Sequence, residues 1–346
     1  MEKQIHGGNT YDKEVSLDFS VNINPLGMPD GVQDAILNNM SGYETYPDIR
    51  YTALREAVAG KERVQAERIL CGNGASELIM AVVRAEKPYK CAVAAPSFSG
   101  YERAVSAYGA ETEYYKLDEK NGFGYADACS QLKDMDIQMC FICNPNNPTG
   151  ITIPQDLLEE ILETCAMQGI FMVVDECFLD FVKDPEKHTL KGKLEKYPGL
   201  FILKAFTKRY AIPGVRLGYG FCSDREVLDR MEAVTQPWNV STMAQQAGMA
   251  ALKESEYVEA GRQIIFRESA WMKEKMRQLG LTVYPSEANY IFFYGSEDLF
   301  ERCVAKGILI RDCSNYPGLK KGYYRVAVKL HEQNEKLIEV LEEVLS

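Results

Sequence analysis

The chain is 346 residues long, 46% hydrophobic and 26% charged, enough for a large α/β unit with a smaller companion and free of low-complexity tracts. Its formal net charge of -11 argues against nucleic-acid binding, which needs a basic face; an anionic substrate would need a local arginine cluster acting against the overall field. Ten cysteines without a disulfide-framework spacing suggest reduced thiols in a cytoplasm, the three histidines form no metal-ligand pattern, and no apolar run suggests a signal segment or membrane span.

Residues 1–30 are polar and turn-rich, with His6-Gly7-Gly8-Asn9 near their start, and read as an arm. A short helix over 31–40, a loop carrying Tyr46 and Pro47, and a helix near 52–60 come next. From residue 68 short apolar runs alternate with helical patterns. The strand candidates are 69–71, 91–95, 113–117, 138–143, 170–174, 200–205 and 217–222; the helices include 75–86, 98–108 and 155–168. This alternation predicts a mostly parallel seven-stranded sheet between helices. After about 236 come a helical stretch over 242–279, short strands at 282–283, 288–294, 308–311 and 323–327, and a terminal helix over 331–345, a smaller α+β unit. The expected division is an arm with part of the small domain (1–40), a large domain (41–236) and a small C-terminal domain (237–346).

Four segments carry chemistry. In Gly72-Asn73-Gly74-Ala75-Ser76 a strand turns into a helix, whose free N–H groups suit a phosphate; a plain glycine turn is the simpler reading of that segment alone. It is neither a dinucleotide fingerprint nor a Walker loop. Asn144-Pro145-Asn146-Asn147-Pro148-Thr149-Gly150 comes directly after a strand, where open sheets bind ligands. Asp175, at the end of an apolar run, could cap the next element or face a cationic ring nitrogen. Lys208, ordinarily a solvated residue, comes after Thr207 and precedes Arg216 by eight positions. Cys140 and Cys143 read as parts of a buried strand facing opposite sides, not as a redox or zinc pair.

The ordered set GNGAS, NPNNPTG, DE and TK(x7)R resembles the fold type I pyridoxal-phosphate enzymes of the aminotransferase class I/II group, over essentially the whole chain. That resemblance implies pyridoxal 5'-phosphate joined to Lys208 as a Schiff base. Asp175 would pair with the pyridine nitrogen and Asn147 with the ring hydroxyl oxygen. Gly74, Ala75, Ser76, Thr207 and Arg216 would hold the cofactor phosphate, and Phe98 would stack on the ring. Tyr46 would reach the phosphate of a neighbouring subunit, which implies a homodimer with shared sites. Two positions depart from many relatives: Phe178 replaces a tyrosine that donates to the ring oxygen, and Ala205 replaces a hydroxyl residue near the phosphate.

Within this group two families fit, the histidinol-phosphate aminotransferases and the threonine-phosphate decarboxylases of cobalamin biosynthesis. His6-Gly7-Gly8-Asn9, the segment Asn315-Tyr316-Pro317-Gly318-Leu319 and Phe178 resemble the decarboxylases. By that resemblance the substrate is L-threonine O-3-phosphate and the product (R)-1-amino-2-propanol O-phosphate. Arg325 would hold the substrate carboxylate; Arg311, His6 and Asn22 would hold its phosphate. Arginine's fork suits both oxyanions, although a structural ion pair is the plainer role for either arginine. The Cα bond held perpendicular to the cofactor plane is the one that breaks, so binding geometry selects decarboxylation or transamination.

Overall fold

The computed structural model describes residues 7–11 and 14–346. In chain order the strands are β1 Leu17–Asp18, β2 Ile69–Gly72, β3 Lys90–Ala95, β4 Glu111–Lys116, β5 Met139–Cys143, β6 Phe171–Asp175, β7 Leu200–Ala205, β8 Gly218–Phe221, β9 Thr282–Val283, β10 Tyr290–Tyr294, β11 Ile308–Leu309, β12 Arg311–Asp312 and β13 Tyr323–Ala327. All seven strands expected from the α/β alternation lie in one sheet, ordered β2-β8-β7-β6-β5-β3-β4. Only β8 runs antiparallel to its neighbours β2 and β7. Every residue of β5 and β7 is buried, as a parallel sheet covered on both faces requires. Because β5, β6 and β7 are parallel and adjacent, Cys143, Asp175 and Ala205 end on the same sheet edge. That edge is where ligands bind in open α/β sheets.

The C-terminal strands form a second sheet, β12-β13-β10-β9, with its own buried cluster that includes Tyr290, Phe293, Val326 and Leu341. Two expectations change here. The stretch 242–279 is two helices, Thr242–Ala251 and Ser255–Gln278. The second runs from the large core, at Val258, into the C-terminal cluster, at Ile265, Met272 and Met276. The strand expected at 308–311 is also divided: β11 pairs with β1 of the arm and β12 with β13. Period-2 patterning gives which way side chains alternate, not which neighbour a strand takes.

A buried ionic cluster lies behind the Lys208 turn. Glu62, at the end of helix Thr52–Glu62, accepts a hydrogen bond from the Tyr219 hydroxyl at 2.8 Å. It also meets Lys191 at 3.2 Å, Lys204 at 3.5 Å and Arg209 at 3.7 Å. Burial alone would raise the Glu62 pKa; Lys204, Lys191 and Arg209 outweigh that and hold it at about 2. Lys204 belongs to β7 and Arg209 is the residue after Lys208, so the cluster anchors the strand end that presents the lysine. Glu62→Gln leaves these buried cations short of a partner. We expect a loss of about 3–5 kcal/mol, read as a lower urea unfolding midpoint.

Candidate active site

A cavity of about 710 Å³ opens at the sheet edge where β5, β6 and β7 end. One end of it is built around glycines. Gly74 has φ +76°, and a Cβ there would fall 2.4 Å from Nη2 of Arg216. Only glycine lets the guanidinium lie against this turn. A Cβ on Gly218 would fall 2.5 Å from the Ala75 nitrogen, so β8 presses directly on the start of helix Ala75–Glu86. Ala75, Ser76, Thr207 and Arg216 line the cavity beside that helix start, a concentration of N–H, hydroxyl and guanidinium donors suited to a phosphate. Ala205 lines the cavity too and adds no donor.

Lys208 sits in a single helical turn, Phe206–Arg209, directly after β7. The N-terminal arm clamps that turn: the Asn24 N–H donates to the Lys208 carbonyl at 3.0 Å, and Asn24 Nδ2 to the Arg209 carbonyl at 3.1 Å. Burial, reinforced by the nearby Arg325 charge, lowers the Lys208 pKa to about 8. Its Nζ lies 5.9 Å from the centroid of the Phe178 ring. A substantial fraction of this amine is therefore neutral near physiological pH, as a nucleophile toward a carbonyl must be.

Asp175 faces the same cavity from the end of β6 and is 7% exposed. Its carboxylate accepts from the Tyr101 hydroxyl at 2.7 Å and the Cys177 N–H at 2.9 Å. Burial raises its pKa, against the opposing pull of those hydrogen bonds. A cationic ring nitrogen would relieve that penalty. Glu176 points elsewhere, receiving the Thr189 hydroxyl at 2.9 Å. The loop holding Asn147 is fastened by its fully buried neighbour Asn146, which donates to the Pro96 carbonyl at 3.1 Å and to the Thr149 hydroxyl at 3.0 Å. The Asn147 amide oxygen accepts from Arg325, which leaves its Nδ2 protons for an acceptor in the cavity.

Arg311 and Arg325 face each other across the β12–β13 pair, and both line the cavity. They are 6% and 5% exposed. Among the described residues neither forms an ion pair. Arg325 donates to the Ser20 carbonyl at 2.9 Å, and the Asn22 amide, turned with its oxygen toward the guanidinium, accepts from Nε at 3.1 Å. Arg311 donates to Asn315 at 2.9 Å and lies 5.2 Å from the Tyr316 ring centroid.

The structure thus gathers Asn22, Ala75, Ser76, Phe98, Asn147, Asp175, Thr207, Lys208, Arg216, Arg311 and Arg325 around one cavity, with Gly74 against Arg216. Tyr46 is not in that group: it is 79% exposed and its ring lies 4.6 Å from that of Trp238. His6 lies outside the described residues, while Gly7 and Gly8 line the cavity mouth. Sequence reasoning missed Tyr101, Ser20 and Lys329. Tyr101 had a usable local signal, being three residues from Phe98; the other two reach the cavity only through the fold. These groups fit pyridoxal phosphate: a phosphate cradle, an amine of lowered pKa, a carboxylate for the ring nitrogen and an amide donor for the ring oxygen.

The aminotransferase class I and II family matches residues 14–341. Threonine-phosphate decarboxylase of Salmonella typhimurium is 38% identical over 353 residues, spanning 99% of this chain and 96% of that protein. The crystal structure of histidinol-phosphate aminotransferase from Clostridium acetobutylicum superposes with a TM-score of 0.88 at 30% identity, covering 95% of this chain and 99% of that one. That of L-threonine-O-3-phosphate decarboxylase from Porphyromonas gingivalis gives 0.83 at 25% identity, covering 95% and 99%.

Proposed function

The chain belongs to the aminotransferase class I and II family, and from that premise we propose that it decarboxylates L-threonine O-3-phosphate to (R)-1-amino-2-propanol O-phosphate for cobalamin biosynthesis. Its cofactor, pyridoxal 5'-phosphate, supplies when bound an electron sink for the bond that breaks at Cα. Lys208 would hold the cofactor through Nζ, and Asp175 would favour a positive charge on its ring nitrogen. Ala75, Ser76, Thr207 and Arg216 grip its phosphate. Arg325, steadied by Asn22, Asn147 and the Ser20 carbonyl, holds the substrate carboxylate and fixes which Cα bond stands across the ring plane. Arg311, with Asn22 and His6, holds the substrate phosphate. The Lys208 Nζ would also serve as the general acid that delivers a proton to Cα.

The observation carrying this reading is the Arg311–Arg325 pair. Like charges directly opposite on paired strands are destabilising, more so when nearly buried and without carboxylate partners. One substrate bearing a carboxylate and a phosphate a few bonds apart satisfies both. Histidinol phosphate has no carboxylate, although the high structural likeness to an aminotransferase of that name keeps transamination as the second reading. Holoenzyme given L-threonine O-3-phosphate should release carbon dioxide. Glutamate formed from histidinol phosphate and 2-oxoglutarate, without carbon dioxide from the first substrate, would reverse the order of the two readings.

The same reading includes a cytoplasmic homodimer, with exposed Tyr46 reaching the partner's cofactor phosphate; among the described residues no helix is long and apolar enough to cross a membrane. The reading keeps a division into arm with part of the small domain (1–40), large domain (41–236) and small domain (237–346); the larger buried cluster, however, also takes in Val240, Ala244, Ala247, Ala251 and Val258.

A further inference from the structure

The cavity wall carries two more cationic side chains, Arg311 and Lys329, than cofactor and substrate carboxylate require. Arg216 lies against the cofactor-phosphate turn and Lys208 is the covalent anchor. Arg325 is taken by the carboxylate, which leaves Arg311, beside Asn22 and His6, as the one permanent cation assigned to the phosphate. A phosphomonoester carries about −1.5 to −2 at neutral pH, so one guanidinium leaves it undercompensated in a partly buried site.

Lys329 lines the same cavity. It lies just past β13, four residues beyond Arg325. Its backbone is held on both sides by one side chain. The Lys329 N–H donates to Asn334 Oδ1 at 3.0 Å, and its carbonyl accepts from Asn334 Nδ2 at 2.7 Å. Asn334 is fully buried and is itself fixed by Glu268 at 3.2 Å, a carboxylate that also meets His331 at 2.9 Å. The ammonium lies 5.6 Å from the Phe19 ring centroid, a placement that steers the aliphatic stem along an apolar surface. Among the described residues Lys329 makes no ion pair. The carboxylate acting on it is Asp18, whose Oδ1 already receives the Ser20 N–H at 2.7 Å and the Ser20 hydroxyl at 2.6 Å. Burial lowers the Lys329 pKa, a penalty that a bound anion would offset.

We propose that Lys329 is the second cation of the substrate-phosphate site and makes it selective for a phosphorylated amino acid over its unphosphorylated parent. The proposal rests on the reading that the substrate is a phosphorylated amino acid. The test uses wild-type, Lys329→Gln and Lys329→Arg holoenzymes. Each is titrated with L-threonine O-3-phosphate and with L-threonine, binding being read from the cofactor absorbance independently of turnover. In Lys329→Gln the phosphorylated ligand should bind about 10–100-fold more weakly, as for a lost charge-assisted hydrogen bond. L-Threonine should change by less than about 3-fold, and Lys329→Arg should recover most of the loss because it keeps a cation at that place. In turnover the defect should fall on KM rather than kcat.

Unchanged phosphate binding in Lys329→Gln overturns the assignment. So does an equal loss for both ligands, or failure of the arginine variant to recover binding, since either marks a packing role. If the wild type binds the phosphorylated ligand but releases no carbon dioxide, the reaction reading fails and the Lys329 assignment is still judged by the ratio. A wild type that prefers L-threonine to its phosphate removes both.

Discussion

Lys208→Ala should reduce turnover of L-threonine O-3-phosphate by about four orders of magnitude or more. Two functions disappear with one amine. The proton transfer alone contributes about 10²–10⁴, and the covalent hold on the cofactor adds to that. Ala75, Ser76 and Arg216, which line the cavity and are proposed to grip the cofactor phosphate, are unchanged, so the variant should still take up pyridoxal phosphate, without the absorbance change of covalent attachment. Wild-type turnover in a variant of confirmed mass would remove Lys208 from the mechanism.

The lowered pKa adds a pH dependence to the same experiment. In the wild-type apoenzyme only the neutral amine attacks the cofactor's aldehyde. With the pKa drawn from 10.5 down to about 8, the rate of covalent capture should rise with pH and level off above about 8. An unperturbed lysine would be neutral in only about one molecule in 300 at that pH. Burial is the larger cause and the Arg325 charge the next. Removing that charge in Arg325→Gln should therefore move the midpoint upward.

Most of the cofactor half of the site was legible because, Tyr46 apart, its residues are local to strand ends. An apolar run such as Met139-Cys140-Phe141-Ile142-Cys143 announces a strand buried on both faces, and the residues just beyond such runs form the ligand edge. The helix at 75–86 came out with its observed bounds because Gly72 and Gly74 mark its start and an apolar stripe fixes its length. The substrate half was legible only through resemblance. Nothing near Arg311 or Arg325 in the chain says that antiparallel pairing sets them opposite each other.

Contacts that bridge remote segments were not legible at all. Asn24 reaches the Lys208 turn across 185 positions, counting to Arg209, and reads locally as part of a proline-containing turn. Glu62 looks like an ordinary polar end to an exposed helix, yet it is 4% exposed beneath three cations. Lys329 reads as a charge ahead of a terminal helix, and its asparagine clip emerges only when that helix is placed. Tyr46 shows the opposite case: its sequence context pointed to the active site, but within one chain its ring lies by Trp238 at the surface.

Asp175→Asn separates the charge of this side chain from its shape. The amide can still accept from the Cys177 N–H and stay within reach of Tyr101, so the end of β6 should keep its conformation. The negative charge is lost. Leaving a buried cation without its partner costs about 3–5 kcal/mol, or about two to four orders of magnitude in kcat if the charge is needed in the transition state. The stability of the apoenzyme should move the other way. A carboxyl whose folded pKa is raised above its unfolded value contributes stability fully present below the unfolded pKa, here 3.8, and lost as pH rises through the folded pKa. Above that raised pKa the apoenzyme carries Asp175 as a buried charge at a cost, and asparagine removes that cost. The variant should melt no lower than wild type without cofactor, and gain less stability when cofactor is added. A variant that loses stability without cofactor and keeps its turnover would identify Asp175 as a structural cap of the strand end rather than the counter-charge of the ring.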